Sequence, residues 1–138
     1  MAEITVTHGY AHPPERVFDA WLDPTLASKF LFATPDGTMM RCEIDARVGG
    51  RFHIVERRSG EDADHQGAYL EIDRPRRLVF SFGDNLAFGA TTVTVEIAPT
   101  VAGCDLTLTH TGVEPQWEAQ TTKGWAGILA TLDGALSQ

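Results

Sequence analysis

The sequence predicts an α+β fold in which a curved, seven-stranded antiparallel sheet lays one apolar face against a long C-terminal helix. Three observations carry this. Apolar and polar residues alternate with a period of two almost without break from Thr38 to Thr111. The last segment switches to helical spacing, with Trp125, Ile128, Leu129, Leu132 and Leu136 on one stripe. A shorter helical stripe, Val17, Phe18, Trp21 and Leu22, interrupts the strands near the start. Connections are short, so the strands are mostly antiparallel; parallel neighbours need crossovers of about a dozen residues.

The first strand places Ile4, Val6 and His8 opposite Glu3, Thr5 and Thr7, and ends at His12-Pro13-Pro14. Pro14 and Glu15 then open a helix, where proline and an acidic residue suit the first turn. Asp23-Pro24 interrupts it, and Leu26, Phe30 and Leu31 predict a second short helix before a Pro35-Asp36-Gly37 turn. Met40, Cys42, Ile44 and Ala46 form the inner face of the next strand, and Gly49-Gly50 turns into Phe52, Ile54 and Glu56. A polar loop through Ser59 to Asp62 leads to Ala68, Leu70 and Ile72, and Arg74-Pro75-Arg76 turns the chain again. Leu78, Phe80 and Phe82 follow, then a loop from Asn85 to Ala90 carrying Phe88. Val93, Val95 and Ile97 and finally Leu106, Leu108 and His110 complete the sheet.

The C-terminal helix has a less defined start, with a possible short helix at Glu114-Pro115 and Thr122 as a possible cap. Gly124, Gly127 and Gly134 lie inside it, each at a cost of about 1 kcal/mol relative to alanine. Either the backbone approaches the sheet closely there, or the missing side chains leave room for a bound molecule.

The 138 residues, 43% hydrophobic and 22% charged, predict one domain over residues 1–138, large enough for a core and an internal cavity. With 11 Lys plus Arg against 19 Asp plus Glu the charge is −8, which disfavours nucleic acid and anionic lipid surfaces as partners. That charge belongs to outer faces and loops. Cys42 and Cys104 are expected as reduced thiols in a core. No leader or membrane-length apolar run is read, so a cytoplasmic protein is expected, and nine arginines to two lysines fit a GC-rich bacterial source. No repeat, low-complexity tract or linker divides the chain.

Five segments in register resemble a known family: Glu15-Arg-Val-Phe-Asp-Ala-Trp-Leu-Asp-Pro24, Val48-Gly-Gly-Arg-Phe52, Arg77-Leu-Val-Phe-Ser-Phe82, Leu106-Thr-Leu-Thr-His110, and Gly124-Trp125 with its trailing leucines. They are similar to the AHSA-type proteins, homologues of the activator of the heat-shock-protein-90 ATPase, in the START-like (SRPBCC) superfamily. The resemblance spans nearly the whole chain. It implies a helix-grip fold with a hydrophobic cavity between sheet and C-terminal helix. Two departures, Val48 where the family often has proline and Phe30 where it often has tryptophan, leave that fold intact. The superfamily holds carriers, receptors, cyclases and many small bacterial proteins, so the fold alone does not assign an activity. The eukaryotic activator also uses a further domain, which makes chaperone activation a weaker expectation.

Metal and cofactor chemistry find no motif. The histidines at 8, 12, 53, 65 and 110 show no ligand spacing, Pro13-Pro14 prevents His8 and His12 from sharing a helix face, and no Cys-x-x-Cys, phosphate loop or nucleophile elbow occurs. No metal and no cofactor are expected. Arg57 and Arg58 lie at the opposite end of a shared strand from Arg74, Arg76 and Arg77, so these arginines read as solvated turn residues rather than one patch.

Two polar residues fall in apolar register: Glu56 with Phe52 and Ile54, and His110 with Leu106 and Leu108. Buried, either could act as acid or base or orient a ligand's polar end; at strand ends, each could equally be structural or solvated. The expected cavity wall is Met40, Cys42, Phe52, Ile54, Phe80, Val95, Leu108, His110, Trp125 and Leu129, with Trp117 and Phe88 at an entrance; ordinary core packing would leave the same signature. Three functions follow. The first is a binding domain for an apolar or aromatic small molecule, monomeric or homodimeric. The second is a cyclase- or hydrolase-like enzyme using His110 and Glu56. The third is a chaperone- or protein-interaction module.

Overall fold

The computed structural model describes residues 2–33, 37–82 and 91–137. Pro35 and Asp36 of the expected turn, and the Asn85–Ala90 loop with Phe88, lie outside them. Strand β1 (Ala2–Tyr10) leads to helices α1 (Pro14–Ala20) and α2 (Pro24–Phe30). Strands β2 (Thr38–Ile44), β3 (Arg51–Arg58), β4 (Glu61–Asp73), β5 (Arg77–Phe82), β6 (Thr91–Pro99) and β7 (Cys104–Val113) follow. A 3₁₀ turn at Pro115–Trp117 runs into helix α3 (Glu118–Leu136). The sheet order is β1-β7-β6-β5-β4-β3-β2 with every pair antiparallel, so consecutive strands from β2 to β7 are neighbours, and β1 pairs with β7 at the edge opposite β2. This is the expected helix-grip arrangement.

Local sequence explains the joins. Pro14 and Pro24 occupy the first turns of α1 and α2, where no backbone donor is lost, and the Asp23 carboxylate accepts from the Thr25 N–H at 2.9 Å to cap α2. Between β3 and β4 the expected polar loop is a two-residue turn. Ser59 (φ 52°) and Gly60 (φ 83°) both take positive φ, as the right-twisted hairpin turn requires. The strand then resumes at Glu61, with Asp62 paired to Arg57 by register and by a 3.0 Å ion pair. Polar alternation hid this end of β4 because both of its faces are wet.

Two inner-face expectations are corrected by β-bulges. The β2/β3 register shifts between Met39 and Arg41, so Met39, Cys42 and Ile44 pack on the core and Met40 is 49% exposed. The β4/β5 register shifts between Tyr69 and Glu71, which buries Tyr69 and turns Leu70 outward. An extra residue reverses the phase of a period-two pattern.

One apolar cluster fills the grip. Trp21, Phe18 and Phe30 from the short helices meet Phe52, Ile54, Phe80, Val95, Leu106 and Leu108 from the sheet and Trp125, Leu129, Leu132 and Leu136 from α3. Its C-terminal half is stapled: Tyr10 Oη donates to the Leu129 carbonyl at 2.8 Å, Arg16 to the Leu136 carbonyl at 2.7 Å, and His8 Nε2 meets Asp133 at 3.2 Å. Thr122 is not the helix cap; its hydroxyl donates back to the Glu118 carbonyl at 2.8 Å. Among the described residues no helix is long and apolar enough to cross a membrane.

Candidate functional site

The N-terminal half of α3 is held less closely. Trp125 is its first buried residue, while Leu129, Leu132, Ala135 and Leu136 seal the other end. Beneath this half lies a cleft of about 570 Å³. The residue α2 hands to the loop, Phe32, the end of β3 at Arg58, His65 on β4, Phe82 on β5 and one face of α3 from Gln120 to Thr131 line it.

Gly124 and Gly127 belong to that lining. A β-carbon built on Gly124, Gly127 or Gly134 meets nothing within 4 Å, so close approach to the sheet does not account for them. At two of the three positions the missing side chain is space in the cleft.

The floor is aromatic. Phe32, His65 and Phe82 lie nearly parallel, with Phe32–His65 centroids 4.3 Å apart at 2° and Phe32–Phe82 centroids 5.0 Å apart at 20°. Trp125 stands across them at 59° to Phe32 and 71° to Phe82. Phe32 takes a φ of 55°, a left-handed conformation that costs a non-glycine residue about 1 kcal/mol or more. Arg58 holds it there by donating to the Phe32 carbonyl at 3.0 Å.

Glu56 and His110, the two polar residues that sequence placed in apolar register, are the buried polar residues among those described, at 1% and 3% exposure. Neither lines the cleft. Arg58 Nε donates to Glu56 Oε1, so one guanidinium braces both the buried carboxylate and the Phe32 turn. Gly37 lies directly over the carboxylate, leaving no room for a β-carbon. With Arg58 pinning that carboxylate, Gly37→Ala is expected to cost about 1–3 kcal/mol, read by urea unfolding.

His110 sits in a chain of hydrogen bonds that sets its tautomer. Trp125 Nε1–H donates to Nδ1 at 3.0 Å, and Nε2 meets Thr91 Oγ1 at 2.6 Å, while that hydroxyl donates to the Phe82 carbonyl at 2.8 Å. Nδ1 must therefore accept and Nε2–H must donate, which describes a neutral imidazole. Burial pushes its pKa down to about 4.

Of the other wall candidates, Phe52, Ile54, Phe80, Val95, Leu108 and Leu129 are buried in the core cluster, and Trp125 alone of the ten lines the cleft among the described residues. Met40 faces away from it, and Cys42 is half-buried beside α2, its thiol donating to the Pro24 carbonyl at 3.6 Å and pushed up in pKa by burial. Trp117, expected near an entrance, is 51% exposed in the turn before α3. Sequence reasoning missed Phe32, which belongs to no periodic element, and Arg58, which reads as a turn residue. It also assigned Phe82 to the sheet's inner face without placing it at the cleft.

Solved structures share this architecture. A Chromobacterium violaceum protein matches with a TM-score of 0.89 and 27% identity, over 100% of this chain and 99% of that one. The AHSA1-like protein of Aeromonas hydrophila matches at 0.87 and 25% identity, over 99% and 92%. A Staphylococcus aureus protein of unknown function, 16% identical, matches at 0.87 over 99% and 93% and so shares the fold alone. No curated protein gives a significant match. The model of one family, Activator of Hsp90 ATPase homolog 1-like protein, matches residues 11–137, and the chain belongs to that family.

Proposed function

We propose that this chain is a small-molecule-binding domain that takes an apolar or aromatic ligand into the cleft beneath the N-terminal half of α3. The observation that carries the reading is Gly124 and Gly127. Two helix-weakening residues face a space of about 570 Å³, a volume typical of ligand sites, where alanine would fit without contact. The aromatic floor would supply apolar area, and the family's fold is one that carries ligands in general.

Acid–base catalysis by His110 and Glu56 gains no support. Both ring nitrogens of His110 are engaged, Glu56 is bound to Arg58, and neither side chain reaches the cleft. They act as supports for Trp125 and Phe32, which do.

Filling the cleft separates binding from stability. Gly127→Leu should abolish binding of the neutral fluorophore N-phenyl-1-naphthylamine while leaving stability equal to wild type or up to about 1 kcal/mol higher, because leucine favours helix. Gly134→Ala, outside the cleft lining, should gain a similar amount and bind normally. Unchanged fluorescence on adding probe to the wild-type protein, with no co-purified mass by native mass spectrometry, would reject the reading.

A further inference from the structure

The described residues that line the cleft carry charge opposite to the protein's. In a chain with 19 Asp plus Glu against 11 Lys plus Arg, the charged side chains among its described lining residues are Arg58 and Lys123, both cations, with no carboxylate. Lys123 is one of two lysines and makes no ion pair among the described residues. Among those residues Arg58 commits its Nε to Glu56 and one terminal nitrogen to the Phe32 carbonyl, out of five N–H donors. That leaves N–H donors for an anion on a guanidinium already oriented before one arrives; Glu56 balances its charge, and Lys123 supplies the positive charge that is not paired among the described residues. Pre-orientation lowers the entropy cost of a bidentate contact.

Against these cations stands an aromatic stack, with Phe32 face to face with His65 and Phe82. The rings of Phe32, His65 and Phe82 are parallel within 20°, and His65 and Phe82 are only half-buried. A flat ring can extend such a stack by offset stacking, whereas an alkyl chain gains from area alone. Gln120, Thr121 and Thr131 add polar groups to the α3 side of the cleft.

From this juxtaposition of parallel rings and two cations, we infer that the ligand is a planar aromatic carboxylate, its ring against Phe32, His65 and Phe82 and its carboxylate held by Arg58 and Lys123. The inference rests on the cleft being the ligand site, and it adds the ligand's chemical class. Charge would supply discrimination between ligands of one shape, since an unpaired carboxylate could not leave water at this site.

The test uses three probes on the full chain by calorimetry. These are 2-naphthoate, the neutral 2-naphthylmethanol of nearly the same shape, and octanoate, which has the charge without the rings. Naphthoate should bind at least tenfold more tightly than either of the others, and added salt should weaken naphthoate while leaving naphthylmethanol unchanged. Arg58→Gln and Lys123→Gln, made together, should bring naphthoate to the level of naphthylmethanol. Glu56→Gln is added where the arginine change alone unfolds the chain. Equal affinity of the wild type for naphthoate and naphthylmethanol, or a preference that survives loss of both cations, overturns the carboxylate. Octanoate binding as tightly as naphthoate overturns the aromatic assignment. Both results leave the cleft reading standing, whereas failure of all three probes to bind removes it together with this inference.

Discussion

Arg58→Met is expected to lower stability by about 3 kcal/mol, with most of that loss recovered when Glu56→Gln is added. Glu56 is buried to 1% exposure and Arg58 is the cation on it, its own side chain 39% exposed. Removing the guanidinium takes the counter-charge away from a buried carboxylate. Deleting one partner of a buried pair costs about 3–5 kcal/mol, and the half-exposed arginine places this pair at the lower end. The amide of Glu56→Gln removes the stranded charge, so the double variant should return to within about 1 kcal/mol of wild type. Urea unfolding of the two single variants and the double variant measures the coupling. A solvated arginine of the sort its turn position predicts would change stability by less than about 0.5 kcal/mol, and no coupling would appear.

The same pair shows what could be read from sequence and what could not. Glu56 and His110 were legible because a strand's phase is strict, and a polar residue in an apolar register stands out. Met40 and Leu70 were misplaced by the same rule, because a bulge reverses the phase without leaving a mark in composition. Arg58 shares the phase of Glu56, two residues away, but beside a turn it looks solvated. Phe32 has no phase at all: its position comes from a left-handed backbone and a long-range bond to Arg58. The glycines of α3 were legible as an anomaly, and only the surroundings decided between close packing and space. Thus the grip followed from local pattern, while the cleft depends on residues brought together by tertiary contacts.

Between pH 6.5 and 4 the folded state should lose about 3 kcal/mol from His110 alone. The imidazole titrates near pH 6.5 when unfolded, but burial holds it down to about 4 in the fold. Its contribution is therefore complete above pH 6.5, where both states are neutral. It declines as the unfolded chain takes up a proton that the folded chain refuses, and levels off below pH 4. Protonation of Nδ1 would also end the Trp125 N–H bond, so the titration strikes at the residue that closes the cleft. His110→Gln carries no titrating group and should flatten this part of the stability profile, while the steeper loss below pH 4 from paired carboxylates such as Asp19 and Asp64 persists in both proteins. Urea midpoints at pH 7, 5.5 and 4 give the comparison; equal slopes for wild type and variant would show that His110 is not held neutral. Ligand binding through Trp125 should hold down to about pH 4 and weaken in the wild type only near and below it, where the folded imidazole takes up its proton.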